Sequence, residues 1–237
     1  MAKKKNMKKD TMIRNFILIA ATLCLVGFLY YRFHSPFFST YHSYVDADVI
    51  LDPGHGGYDS GSTYNGILEK DVVLELSLDI GEELEANGIK VAYTRMSDDV
   101  SWSDVVQEDL QARVDISNHS SAKAYVSIHT NASESKQGKG FEIWSYTRYA
   151  ENKALAKAIK NEVLDTDMVI DRGIKNASSL GLYVLKYNDK PSVLVEAGFL
   201  ESDHDRMYLM NPRKRKQLAK AIAQGIIDYL QNNEESK

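Results

Sequence analysis

An α/β domain, built on a largely parallel sheet with helices on both faces, is what this sequence predicts. Two observations carry that expectation. Short, nearly unbroken apolar runs recur between residues 48 and 195, and amphipathic stretches of helical period stand between them. Strands buried on both faces read as continuous apolar runs, and parallel neighbours need a crossover that a helix supplies.

The elements follow in order. Asp48–Leu51 predicts the first strand. A helix is expected over Leu68–Asn87, where Val73, Leu76, Ile80 and Leu84 fall on one stripe and Glu82, Glu83 and Glu85 lie off it. Asn87-Gly88 supplies its stop, because glycine accepts the left-handed conformation a helix end needs. The same reading gives strands at Ile89–Thr94, Ala124–Ile128, Phe141–Tyr146, Leu182–Leu185 and Ser192–Val195, about six in all. Further helices are expected at Ser103–Asn118, Tyr149–Leu164 and Arg213–Leu230. Together these define one domain over residues 48–231.

What precedes that domain differs in kind. Lys3, Lys4, Lys5, Lys8, Lys9 and Arg14 lead into an apolar stretch from Phe16 to Tyr31. A basic flank before an apolar core is an export signal with its positive end in the cytoplasm. Residues 1–35 are therefore expected to be a signal or membrane anchor, and residues 36–47 a tether. No Ala-x-Ala-like site follows the apolar stretch, which favours an uncleaved anchor over a removed signal peptide.

Composition narrows the chemistry. Cys24 is the only cysteine and lies within the apolar stretch, so the exported part has neither a disulfide nor a thiol nucleophile. Residues 1–35 hold 7 of the 29 Lys and Arg but 1 of the 33 Asp and Glu, which leaves the remainder at −10. An acidic exported domain is a poor partner for nucleic acid, so none is expected.

Four residues stand where an open α/β sheet binds ligands, outside the carboxyl ends of its strands. His55 sits in Leu51–Gly57 (LDPGHGG) after the first strand, Glu69 opens the first helix, and His129 and Glu196 each close an apolar run. Two imidazoles and one carboxylate are a common ligand set for catalytic zinc, and a further glutamate is then free to move protons. Taken singly, each has a plainer explanation. A histidine after a strand usually just hydrogen-bonds in its loop, and a glutamate at a helix start complements the helix dipole. A glutamate ending an apolar strand is the most informative of the four, because unpaired charge is costly to bury.

Six runs, in order, carry a resemblance: LDPGHGG at Leu51–Gly57, LEKD at Leu68–Asp71, Thr94-Arg95, SIHTN at Ser127–Asn131, Gly140-Phe141 and PSVLVEAGFL at Pro191–Leu200. In these, residues 48–230 resemble the zinc-dependent N-acetylmuramoyl-L-alanine amidases of the bacterial cell wall, the Amidase_3 group. Length, the N-terminal segment and the lack of a wall-binding repeat are similar to the germination-specific branch of spore formers, which acts on spore cortex. The resemblance implies a mixed, mainly parallel sheet flanked by helices. It implies Zn2+ on His55, Glu69 and His129, with Glu196 as the catalytic acid–base. It further implies a peptidoglycan substrate, export to the wall or the forespore intermembrane space, and an accessory protein in the absence of a wall-binding module. Peptide removal would leave muramic carboxyls for lactam formation by another enzyme.

The chain departs from the family at Glu201-Ser202, where Ser-Asn is frequent. Between Tyr146 and Arg172 there is one helical pattern and no room for a long insert, so an open cleft is expected. Ser60 lacks the spacing of a nucleophile elbow. Arg95 and Arg113 are explained by buried ion pairing at least as well as by substrate contact. His204 is expected to cap the last helical region. Two rivals are a catalytically silent wall-binding protein on this fold and a zinc carboxypeptidase. The four competent residues disfavour the first, and Tyr58, three residues after His55 where carboxypeptidases place glutamate, disfavours the second.

Overall fold

The computed structural model describes Thr22, residues 44–166 and residues 168–235. Within them a compact unit begins at Tyr44. The expected signal or anchor lies outside the described residues apart from Thr22, and no helix among the described residues is long and apolar enough to cross a membrane. Val45 joins the compact unit, donating its N–H to the His119 carbonyl at 3.0 Å.

Among residues 44–235, eight strands and six α-helices follow one another. They are β1 (Val49–Pro53), β2 (Thr63–Tyr64), β3 (Ile67–Leu68), α1 (Glu69–Ala86), β4 (Val91–Tyr93), α2 (Val106–Asn118), β5 (Ala124–Asn131), β6 (Phe141–Ser145), α3 (Ala150–Leu164), β7 (Asp171–Asn176), α4 (Tyr183–Lys186), β8 (Ser192–Phe199), α5 (Asp203–Leu209) and α6 (Pro212–Glu235). Six strands form one sheet in the order β4-β1-β5-β8-β6-β7, while β2 and β3 make a separate small hairpin. Every pair in the six-stranded sheet is parallel except β6 with β8. The mixed, mainly parallel six-stranded sheet is thus as expected.

Alternation of side chains across each strand explains why both faces carry helices. Val49 and Leu51 of β1 and Val126 and Ile128 of β5 point to a core built with α1, α3, α5 and α6. Ile50 and Tyr125, one residue out of phase, face a smaller core with α2 and α4. The predicted stripe of α1 is fully buried at Val73, Leu76, Ile80 and Leu84. Each such side chain contributes about 1.5–3 kcal/mol on leaving water. Gly88, with φ +79°, ends the helix as its position suggested.

Two expectations fail. Leu182–Leu185, read as a strand, is mostly helix α4, with Val184 and Leu185 buried against the smaller core. A four-residue apolar run has no period of its own, so tertiary packing decides its state. The missing sixth strand is β7, DRGIKN, which the apolar pattern passed over. It is a sheet edge, and edge strands carry charge that discourages pairing with other chains.

Candidate active site

Chain direction brings the four singled-out residues to one edge. Strand β1 ends at Pro53, so His55 follows on the loop at its carboxyl end. In β5 and β8, His129 and Glu196 are direct register partners. The β2–β3 hairpin returns the chain so that Glu69, first residue of α1, meets the same edge.

There His55, Glu69 and His129 converge. Glu69 Oε1 lies 3.1 Å from His55 Nε2 and 3.2 Å from His129 Nδ1, and the two ring nitrogens are 3.2 Å apart. Hydrogen bonds from the surrounding groups hold this triangle. Asp59 Oδ2 is 2.7 Å from His55 Nδ1, which turns the Nε2 lone pair inward. Glu69 accepts two backbone N–H groups, from Ser62 at 2.8 Å and Thr130 at 2.9 Å. Gly54 leaves the space His129 occupies: a Cβ there would sit 2.2 Å from the ring's Cε1. Beside the triangle, Glu196 Oε2 is buried without a hydrogen-bond partner.

Comparison with known proteins bears on what this edge does. The family model described as N-acetylmuramoyl-L-alanine amidase matches residues 49–228. This chain belongs to that amidase family. The germination-specific N-acetylmuramoyl-L-alanine amidase of Bacillus subtilis (strain 168) is 36% identical over 189 residues, covering 76% of this chain and 78% of the relative. Among solved structures, the CwlD amidase from Clostridioides difficile in complex with the GerS lipoprotein is 32% identical, covers 78% of this chain and 99% of its own, and has a TM-score of 0.72. N-acetylmuramoyl-L-alanine amidase AmiC2 of Nostoc punctiforme is 35% identical over 80% of this chain and 98% of its own, with a TM-score of 0.68. The chain is therefore a peptidoglycan amidase of the α/β class.

The donor triangle of this amidase fits a small tetrahedral cation. Bonds of about 2.0–2.1 Å put neighbouring tetrahedral donors about 3.3–3.4 Å apart, close to the 3.1–3.2 Å edges here. The charges around the triangle favour a positive group there. Burial lowers the His55 pKa, but Glu69 and Asp59 outweigh it and raise it to about 9. Burial raises Glu69, yet the His129 and His55 contacts win and hold it well below the usual carboxylate range, hence ionised. Glu196 is pushed the other way, up to about 8, by burial first and then by Glu69 and Glu142, with His55 opposing.

Below the site runs a buried network of which the sequence had pointed to the two arginines, Arg95 and Arg113. Arg113 Nη1 donates to Asp52 Oδ1 at 2.8 Å and to the Pro53 carbonyl at 2.9 Å, its Nε to Asp109 at 2.6 Å, and its Nη2 to the His55 carbonyl. Arg95 similarly spans the carbonyls of Pro53, Gly54 and Lys70. Both arginines therefore fix the LDPGHGG loop from behind, Arg113 through the expected buried ion pairs and Arg95 through backbone carbonyls instead. Asp59 was missed, although an acid four residues after a loop histidine is a findable signal. The backbone donors of Ser62 and Thr130 have no side-chain signature at all.

Ser60 hydrogen-bonds within its loop at Gly61. His204 does not cap a helix; Ser202 does, accepting the Asp205 N–H at 3.2 Å, because hydroxyls suit that position better than imidazole. Helix α3 packs into the core shared with α6, and the half-buried His55 and His129 rings remain open to solvent.

Gly54→Ala is expected to lower amidase activity on the order of 100-fold, since ångström-scale misplacement of a catalytic group costs that much. Peptide release by protein of unchanged circular dichroism measures it. Activity within a factor of about two of wild type would mean that His129 has room to move.

Proposed function

We propose that this amidase is a zinc enzyme that cleaves the amide between the lactyl group of N-acetylmuramic acid and L-alanine, during spore-cortex maturation. His55, Glu69 and His129 would hold the ion through Nε2, Oε1 and Nδ1. The single observation carrying this is the near-equilateral triangle of those three atoms, none more than 3.2 Å from the next. When bound, zinc supplies Lewis acidity to the scissile carbonyl and to water, whose pKa it lowers to about 7.

The chain's own residues do the rest. Glu196 takes a proton from the attacking water at Oε2, the oxygen left without a partner, in its ionised form, which the charge of a bound cation would favour against the burial that raises its pKa, and returns it to the departing alanine nitrogen. Asp59 keeps His55 in one tautomer and orientation, and Ser62 and Thr130 do the same for Glu69. The products are a muramic carboxylate and an alanine-ended peptide. Such carboxylates are the precursors that lactam formation by another enzyme requires.

The cortex assignment is supported by the 36% identity to the germination-specific amidase of Bacillus subtilis. Residues 1–35 would hold the domain at a membrane or direct its secretion, with residues 36–47 as tether and the catalytic domain over 48–231. The substrate would then be met in the wall or forespore intermembrane space. The GerS complex of the CwlD amidase supports looking for an accessory protein here too.

Protein purified without chelators is expected to carry about one zinc per chain, to lose peptide release on chelation and to regain it with zinc. Product analysis decides the class of reaction. Alanine-ended stem peptides support the amidase; single C-terminal amino acids would mean a carboxypeptidase. Sub-stoichiometric zinc with full activity would overturn the metal assignment.

A further inference from the structure

Beside Glu196 lies an open cavity of about 370 Å³, lined by Asn131, Ser133, Ser135, Gln137, Arg172 and Phe199 among others. Its one cationic side chain comes from the strand that apolar patterning overlooked. In the β6–β7 ladder Phe141 pairs with Asp171 and Glu142 with Gly173, so Arg172 is the extra residue of a bulge. Bulges near active sites re-aim a side chain. Arg172 is aimed along Glu142, with its Nε 2.8 Å from Oε2, and its guanidinium stacks 5.0 Å from the centre of the Phe199 ring.

Glu142 itself is spent. It is buried, and its other oxygen accepts from Asn131 at 2.7 Å and Trp144 at 3.1 Å. Its charge is therefore shared among three donors instead of being reserved for the arginine. Arg172 Nη1 makes a long 3.4 Å contact to the Lys139 carbonyl, and no group among the described residues accepts from Nη2. The result is a guanidinium held on two sides, with its outer fork at an open, polar-lined recess. That fork matches a carboxylate bidentately.

Position says which carboxylate. Glu142 and Glu196 are register partners across β6 and β8, so the carboxylate that holds Arg172 is about one strand spacing, ~5 Å, from Glu196, with Arg172 reaching it from β7, the next strand out. The second stem-peptide residue is one Cα step, about 3.8 Å, beyond the alanine released at the cut.

We propose that Arg172 reads a free α-carboxylate on the second residue of the stem peptide, making this cavity the subsite that selects unamidated peptidoglycan. The proposal rests on the reading of Glu196 and the histidine–glutamate cluster as the reaction centre. It identifies a specificity determinant, not a participant in bond cleavage.

The test uses two N-acetylmuramoyl pentapeptides that differ only in whether the second residue's α-carboxylate is free or amidated. Wild-type protein is expected to favour the free acid on the order of 10- to 100-fold in kcat/KM, the range of one charge-assisted hydrogen-bond pair, and chiefly through KM. In Arg172→Met the ratio between the two substrates falls toward unity, and Arg172→Lys restores part of it. An indifferent wild-type enzyme, or an Arg172→Met variant that slows both substrates in parallel, would overturn the proposal and reduce Arg172 to a structural partner of Glu142. Both outcomes leave the amidase reading intact. Failure to release alanine-ended peptide from either substrate would instead sink that reading.

Discussion

Glu196→Gln is expected to reduce peptide release on the order of 10²- to 10⁴-fold, the usual worth of a positioned proton-transfer group, while leaving zinc binding and fold in place. The amide keeps the shape of the side chain but cannot accept the proton of the attacking water. The wild-type carboxyl is buried with one oxygen unpartnered, and burial together with Glu69 and Glu142 holds its pKa up to about 8. Replacing such a group by a neutral one removes a desolvation cost, so melting temperature should stay level or rise, the trade-off expected at a functional site. Steady-state kinetics, zinc titration and a thermal melt on one preparation measure all three. Retention of more than about a tenth of the activity would exclude Glu196 as the proton-transfer group.

Arg113→Met carries the largest expected effect on stability. Arg113 is buried together with both of its acids, Asp52 and Asp109. Removing it orphans two buried carboxylates and should cost about 3–5 kcal/mol. It also frees the His55 carbonyl and leaves that of Pro53 to Arg95, so zinc affinity should fall about 10- to 100-fold as the ligand loop loosens. The pH dependence gives a second readout. Burial raises Asp52, but Arg113, Ser127 and Thr94 outweigh it and depress its pKa well below the ordinary value. A depressed pKa stabilises the fold above the unfolded-state value, about 3.9, and that contribution drains away as pH falls below it. Without the arginine, burial raises the same carboxyl, the folded state gains affinity for protons, and stability should increase as pH is lowered from 7 toward 5. Denaturant melts across that range should therefore show the variant gaining stability relative to wild type as pH falls, because the depressed Asp52 gives wild type no slope there. Adding Asp52→Asn should recover much of the loss. Parallel slopes, or a cost below about 1 kcal/mol, would show that the network is not a buried charge system.

The elements legible in advance share a property: their identity rests on periodicity that local sequence records. The α1 stripe and the continuous runs of β1, β5 and β8 are of this kind. Those four elements also position His55, Glu69, His129 and Glu196, which explains why the candidate site could be read in outline. What failed was short or exposed. The α4 run is too brief to hold a period, and β7 turns polar residues outward at a sheet edge. Missing β7 meant missing Arg172, whose aim depends on a bulge that exists only once β6 and β7 are paired.

By itself the sequence determined which side chains stand at the ends of which buried strands, because burial is written into composition at a fixed period. Tertiary structure alone decided that Glu69 Oε1 and two ring nitrogens from separate stretches share one centre, that Glu196 Oε2 is left without a partner, and that Arg113 grips the loop from behind. Those are distances across strands and through backbone amides, and no residue's identity encodes a distance to another sixty positions away.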